Sequence, residues 1–236
     1  MNKINDANID EYERLISPNE LRKLIPINSV AKETVISSRN SIEKILLKED
    51  KRKIIILGPC SIHDIKSALE YAHFVRELQE RVKDKFLLVM RVYFEKPRST
   101  IGWKGLIYDP NLDSSNDINL GLKIARQLLL DIVSLGVPVA TEFLGMLVPQ
   151  YISDLVSWAA IGARTTESQT HRELVSGLSM PVGFKNSTNG SIDIAINAML
   201  SSSSSHSFVG INNNGVVSKV YTKGNNYGNS CVKHLI

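Results

Sequence analysis

Short apolar runs recur along this chain, and each ends on a polar or charged residue. Lys53–Leu57 leads into Gly58-Pro59-Cys60, and Leu87–Met90 into Arg91 and on to Lys96-Pro97-Arg98. Val137–Thr141 ends at Glu142, Ala160–Ala163 at Arg164, and Val182–Phe184 at Lys185. Brief apolar runs bounded in this way read as buried strands. Between them the apolar spacing becomes helical. A helix opened by Asp64 carries Ala68, Tyr71, Ala72, Val75 and Leu78 on one face. Another spans Asp117 to Leu135 with Ile118, Leu122, Ile124, Ala125 and Leu128–Leu130 inward, and Gly136 and Pro138 stop it. Further helices are expected over Pro149–Trp158, Gln169–Leu178 and Ser191–Leu200, with a hairpin through Gly215–Thr222. Residues 1–50 are polar and helix-like, with a helix start at Ser17-Pro18-Asn19-Glu20. The alternation predicts an α/β fold whose parallel sheet is built through right-handed crossovers.

Polar groups at the C-terminal ends of successive strands are what a (β/α) barrel uses to assemble one site from many segments. Here most of those ends carry a cation: Arg91 with Lys96 and Arg98, then Arg164, then Lys185. Converging cations call for an anionic ligand, most simply a phosphate. Arg91 lies within an apolar strand, where an unpaired guanidinium is costly, so an anion must meet it; Glu142 and a ligand are both candidates. Lys185 suits a rim position, phosphate pairing, general-acid work or a Schiff base. Cys60 reads equally as a small buried residue and as a metal ligand or reactive thiol. His63 fits a structural role near the start of its helix.

Composition narrows the class. With 43% hydrophobic and 22% charged residues the chain is ordinary for a globular protein. Its net charge of +4 comes from basic residues interleaved with acidic ones and without aromatic partners, which argues against nucleic acid. No apolar run approaches the ~20 residues of a membrane span, and the N-terminus lacks the apolar segment of a signal peptide. Cys60 and Cys231 lie too far apart for a disulfide framework, so a reducing, cytoplasmic setting is expected.

Five long motifs carry a specific resemblance: Gly58-Pro59-Cys60-Ser61-Ile62-His63-Asp64, Arg91-Val92-Tyr93-Phe94-Glu95-Lys96-Pro97-Arg98, Gly102-Trp103-Lys104-Gly105-Leu106, Gly162-Ala163-Arg164-Thr165-Thr166-Glu167-Ser168 and Pro181-Val182-Gly183-Phe184-Lys185-Asn186. In order and spacing, up to about residue 228, they resemble the type I 3-deoxy-D-arabino-heptulosonate 7-phosphate (DAHP) synthases of bacteria. The resemblance implies a metal-bearing (β/α)8 barrel that condenses phosphoenolpyruvate with erythrose 4-phosphate, releasing phosphate. That is the first step of the shikimate pathway to chorismate and the aromatic amino acids. It implies that Arg91, Arg164 and Lys185 hold phosphoenolpyruvate, that Ala163 gives a backbone contact to its phosphate, and that Glu142 orders water and cations there. Lys96 becomes a proton donor between the two substrates. Pro97, Arg98, Ser99 and Thr100 become the loop for erythrose 4-phosphate, with Ser99 in place of the family's threonine. Cys60 becomes the first ligand of a divalent metal of the manganese, iron, cobalt or zinc class.

The resemblance also implies feedback inhibition by an aromatic amino acid, in a pocket that Met146, Gln150, Leu174, Leu178, Ser179, Phe208 and Val220 match, and a homo-oligomer. Gly210 stands where the phenylalanine-sensitive form has a hydroxyl residue. Three segments are expected: an N-terminal extension over 1–50 for oligomer or regulatory contacts, a partial barrel over 51–228 with about five of the eight strands, and a tail over 229–236 that departs from the family. Cys231 and His234 in that tail read as an accidental pairing. The family's remaining metal ligands, a histidine, a glutamate and an aspartate, fall on later segments, so a truncated or frameshifted gene and an inactive polypeptide are expected. A non-catalytic remnant and a Schiff-base aldolase of the barrel type are the competing readings.

Overall fold

The computed structural model describes residues 4–231, with the backbone alone at 230 and 231. Strand β2 (Phe86–Arg91) follows β1 (Lys53–Leu57) in the sheet and shows how the chain sorts its faces. Successive side chains of a strand point to opposite sides. Leu88, Met90, Val92 and Phe94 join the large core cluster with the helices. Leu87, Val89 and Tyr93 instead share a second cluster with Ala140, Trp158 and Ala160 on the concave side of the sheet. Ile42 belongs to that inner cluster, with Ile45 and Leu46 packed against it, so the end of α2 (Ser29–Leu46) closes one side of the concave face. The same alternation sets Arg91, two residues from both Val89 and Tyr93, on the inner face.

The main sheet has six parallel strands in the order β1-β2-β3-β4-β5-β8. Beside β1 and β2 these are β3 (Val139–Glu142), β4 (Trp158–Ile161), β5 (Val182–Lys185) and β8 (Gly228–Cys231). The connections are α3 (Ile65–Val82), α4 (Ile118–Ser134), the single turn α5 (Pro149–Ile152) with a tighter turn over Ser153–Leu155, α6 (Gln169–Ser176) and α7 (Asp193–Ser202). Between α7 and β8 stands an antiparallel hairpin, β6 (Ser207–Ile211) with β7 (Val217–Tyr221). This is the α/β architecture of a partial (β/α) barrel. Asp64 caps α3 by accepting from the Ser67 amide at 2.6 Å, and Asp117 caps α4 by accepting from Leu120 at 2.8 Å. Ser17 and Glu20 form a reciprocal capping box on α1 (Pro18–Leu24).

Two features differ from the sequence expectation. A sixth strand joins the five: Val182–Lys185 pair in parallel with Gly228–Cys231, the start of the segment set aside as a tail. Gly-Asn-Ser-Cys carries no apolar signature, so only its backbone pairing reveals it. Pro149–Trp158 is not one helix, because its carbonyls have other donors. Arg126 takes the Tyr151 carbonyl at 2.9 Å, while Arg39 takes those of Ser153 and Val156, each at 2.7 Å. Val156 is then extended, and Trp158 opens β4. Trp158 fits the inner face because its ring lies over Gly183 of β5; a Cβ there would overlap the indole ring.

Candidate active site

Arg91, Glu142 and Lys185 end three neighbouring or near-neighbouring strands on the inner face, and the register brings them together. Glu142 pairs with Ala160 and Ala160 with Gly183, which sets Lys185 one inner position beyond Glu142. Lys185 Nζ donates to Glu142 Oε2 in a buried ion pair, the side chains 18% and 9% exposed. Gly162 lies against that carboxylate: a Cβ there would come within 2.5 Å of Glu142 Oε1.

Arg91 meets no carboxylate among the described residues. Its guanidinium stacks on Tyr93, 3.8 Å from the ring centroid, and Nη2 donates to the Cys60 carbonyl at 3.1 Å. The buried Nε has no hydrogen-bond partner among the described residues. Of the two candidate anions for Arg91, Glu142 is therefore committed to Lys185, and a bound anion remains the fitting one. Lys185 Nζ also approaches the Tyr93 ring, 5.4 Å from its centroid, so one aromatic face lies between the two cations.

The β1 end reaches this group because Gly58 (φ +148°) presses against β2; a Cβ on it would sit 2.8 Å from the Arg91 carbonyl oxygen. That turn presents Cys60, whose thiol is exposed and accepts from Lys96 Nζ at 3.4 Å. Arg164 is exposed on the turn after β4, without a hydrogen bond or ion pair among the described residues. Its backbone is fixed, since the Thr165 and Thr166 amides donate to the Gly162 carbonyl and the Thr166 hydroxyl reaches both Gly162 O and Lys185 O at 2.9 Å. Ala163 is half-buried in the same turn. Pro97 is half-buried while Arg98, Ser99 and Thr100 are exposed, with Arg98 Nε donating to the Trp103 carbonyl at 2.7 Å. His63 is exposed at the start of α3, beside Asp64.

The residues do not make a metal site by themselves. Among the described residues no group of three or more His, Cys, Asp or Glu side chains is placed to hold an ion. Cys60 stands alone there, His234 and the side chain of Cys231 lie outside the described residues, and a single thiol does not define a coordination geometry.

Glu95 is a feature that the sequence reading left without a role. It is 3% exposed and accepts from the Leu144 amide at 3.1 Å, the Gly145 amide at 2.9 Å and the Tyr108 hydroxyl at 3.0 Å. Burial pushes its carboxyl above the ordinary range, with the charge of Glu142 adding, against the lowering effect of its three donors. Tyr108, half-buried beside it, is pushed up as well, by burial first and then by the Glu95 charge. The available signal was an acid directly following the apolar run Val92–Phe94.

A second cavity of about 460 Å³ lies between α5, α6 and the hairpin. Gln150, Leu174, Leu178, Ser179, Phe208 and Val220 line it; Met146 is not among the lining residues described. Its walls also carry Arg22, Arg39 and Asp154, so it combines an apolar interior with both signs of charge. No helix among the described residues is long and apolar enough to cross a membrane.

Known proteins are similar to this chain over most of its length. A Tyr-sensitive phospho-2-dehydro-3-deoxyheptonate aldolase of Salmonella typhimurium is 52% identical over 225 residues, 95% of this chain and 63% of that protein. A Trp-sensitive one of Escherichia coli K12 is 50% identical over 97% of this chain and 66% of its own length. The solved structure of the phospho-2-dehydro-3-deoxyheptonate aldolase of Francisella tularensis superposes with a TM-score of 0.94 at 47% identity, covering 96% of this chain and 66% of that one. This chain thus spans just under two thirds of the length of such relatives. A model of the DAHP synthetase I family matches residues 29–235, on into the segment expected to depart from it. The chain belongs to the DAHP synthetase I family.

Proposed function

We propose that the inner-face group is the phosphoenolpyruvate site of a DAHP synthase, and that the whole protein condenses phosphoenolpyruvate with erythrose 4-phosphate to give DAHP and phosphate. One observation carries this reading: a Lys185–Glu142 pair beside an Arg91 guanidinium whose buried Nε lacks a partner among the described residues, at the C-terminal ends of three parallel strands. A phosphate brings the acceptors that Arg91 needs, with Arg164 on the adjoining turn as a further cation. The names of the relatives point to the same chemistry.

In that reaction carbon 3 of the enol phosphate forms the new bond to the aldehyde carbon. Lys96 gives a proton to the aldehyde oxygen as it gains charge. Water adds at carbon 2, and the phosphate then leaves from that carbon. Arg91, Arg164 and Lys185 hold the phosphate and carboxylate so that carbon 3 faces the second substrate, and this positioning supplies much of the rate. The Ala163 amide and Glu142 complete the first pocket, and Pro97, Arg98, Ser99 and Thr100 receive erythrose 4-phosphate. The divalent metal of the family is assigned no step, because Cys60 is the one ligand proposed from this chain.

The second cavity takes an aromatic amino acid as feedback effector. Residues 1–50 form an extension used in oligomer or regulatory contacts, residues 51–228 the partial barrel, and the enzyme works in the cytoplasm. Lys185 Nζ is engaged by Glu142 in a buried ion pair, an arrangement that suits anion binding better than attack on a carbonyl carbon.

Calorimetry on the 236-residue chain tests the reading. Phosphoenolpyruvate should bind, inorganic phosphate should compete with it, and pyruvate should not bind. Equal binding of pyruvate, or none of phosphoenolpyruvate, would overturn it.

A further inference from the structure

We propose that Tyr93 is a positioning residue of the anion site: its ring holds Arg91 and Lys185 side by side without taking up the donors they offer a ligand. The proposal deepens the reading of this group as a phosphoenolpyruvate site and rests on it. The Arg91 guanidinium carbon lies 3.8 Å from the Tyr93 ring centroid, and Lys185 Nζ lies 5.4 Å from the same point. Both distances are within the reach of a cation–π contact.

Alternation and anchoring put the ring there. Arg91 and Tyr93 are two residues apart on one extended run, so their side chains share the inner face. The backbone between them is held on both sides. The Val92 amide donates to the Ala140 carbonyl at 2.8 Å, and the Tyr93 carbonyl accepts from the Ile62 amide at 2.9 Å. The ring is 4% exposed and belongs to the inner cluster with Leu87, Val89, Ala140, Trp158 and Ala160. Close packing of that cluster keeps the ring in one place, and the exclusion of water strengthens its attraction for a cation.

The chemistry asks for an aromatic face in particular. Cations collected at one place repel each other, and Glu142 offsets one of them through Lys185. A second carboxylate beside Arg91 would offset the other. It would also take the N–H donors that lie in the guanidinium plane, and so close the site to an anion. A ring under the flat face of the guanidinium leaves that edge open. The observed state fits: Nη2 donates to the Cys60 carbonyl at 3.1 Å, and the buried Nε has no hydrogen-bond partner among the described residues. An aliphatic side chain would fill the same space and attract neither cation. An incoming phosphate therefore meets cations already in place, and little side-chain ordering is left to binding.

The test measures binding of phosphoenolpyruvate and of inorganic phosphate to the 236-residue chain by calorimetry, with melting temperatures by circular dichroism alongside. The proteins compared are the wild type, Tyr93→Phe, Tyr93→Leu, and a series with mono-, di- or trifluorinated phenylalanine in place of Tyr93. Fluorine draws electron density from the ring face and weakens its pull on a cation while hardly changing its size. Affinity for both probes should fall stepwise along the fluorinated series, by about tenfold from Tyr93→Phe to the trifluorinated ring. Tyr93→Leu should lose about tenfold, and Tyr93→Phe should recover it to within about threefold of the wild type. The fluorinated proteins keep the shape of the ring and serve where Tyr93→Leu does not fold. A flat fluorinated series, which packing alone would give, or a Tyr93→Phe protein as weak as Tyr93→Leu, would overturn the role of the ring. Failure of the wild type to bind phosphoenolpyruvate would instead overturn the reading of the site, and this proposal with it.

Discussion

Replacing Lys185 with methionine separates two contributions that the site combines. The ammonium balances the Glu142 carboxylate inside the sheet, and in the proposed function it also meets the ligand phosphate. Without it a carboxylate group with 9% exposure is left in the sheet with no cation beside it. Removing one partner of a fully buried pair costs about 3–5 kcal/mol, and the 18% exposure of Lys185 admits some water, so about 2–3 kcal/mol is expected. In a chain of this size that lowers the melting temperature by about 5–10 °C. Glu142→Gln/Lys185→Met removes the stranded charge and should recover stability to within about 1 kcal/mol of the wild type. Binding behaves differently. Phosphoenolpyruvate should bind both variants more weakly by about tenfold or more, because the phosphate has lost a cation in each. Thermal melts by circular dichroism and calorimetric titration supply the two readouts. A single variant as stable as the wild type would refute the buried-pair argument. A double variant with wild-type affinity would refute a role for Lys185 in anion binding.

The pH dependence of stability checks Glu95, whose carboxyl is raised above its ordinary value of 4.5 chiefly by burial. An acid raised in this way holds extra protons in the folded state, so its stabilising contribution is complete below its unfolded value and is lost as pH rises through the folded one. The stability difference between wild type and Glu95→Gln, taken from denaturant titrations, should therefore move against the wild type as pH increases from about 4; a flat or opposite trend would contradict it. Leu178→Trp fills part of the 460 Å³ cavity and should abolish binding of the aromatic amino acid while phosphoenolpyruvate affinity stays within about twofold, as calorimetry would show. The 236-residue polypeptide, given manganese and both substrates, should release no phosphate above the blank. Its sheet has unpaired edges at β1 and β8 among the described residues, and misplacement near 1 Å costs on the order of 10²-fold in rate. Metal-dependent turnover from well-folded chain would show that reasoning to be wrong.

Where apolar periodicity is strong, the sequence was enough to read the fold. The helix expected over Asp117–Leu135 is observed at Ile118–Ser134, with Asp117 as its cap, and β2 and β5 fall within a residue or two of their apolar runs. Pro149–Trp158 could not be read this way, because the buried guanidinium of Arg126 and that of Arg39 claim its carbonyls from α4 and α2, far away in sequence. Strand β8 escaped for a related reason: its place depends on backbone pairing with β5 and not on its own side chains. At the candidate site, the apolar runs marked Arg91, Glu142 and Lys185 as strand ends, and the structure shows that alternation along β2, β3 and β5 sets all three on one face. Which cation takes Glu142 was not legible, since that depends on the stagger between strands. Glu95 was passed over because its partners are amides some fifty residues away, and an amide leaves no mark in a sequence.

If Arg164 and the strand-end residues hold the phosphate of phosphoenolpyruvate, calorimetry of wild type beside Arg164→Ala will show it. Arg164 is exposed and makes no hydrogen bond or ion pair among the described residues, so its removal should leave the melting temperature unchanged. Affinity for phosphoenolpyruvate should fall by about 30-fold, equivalent to about 2 kcal/mol for one charge pair lost from a desolvated phosphate. Equal affinity of the two proteins for phosphoenolpyruvate would contradict it.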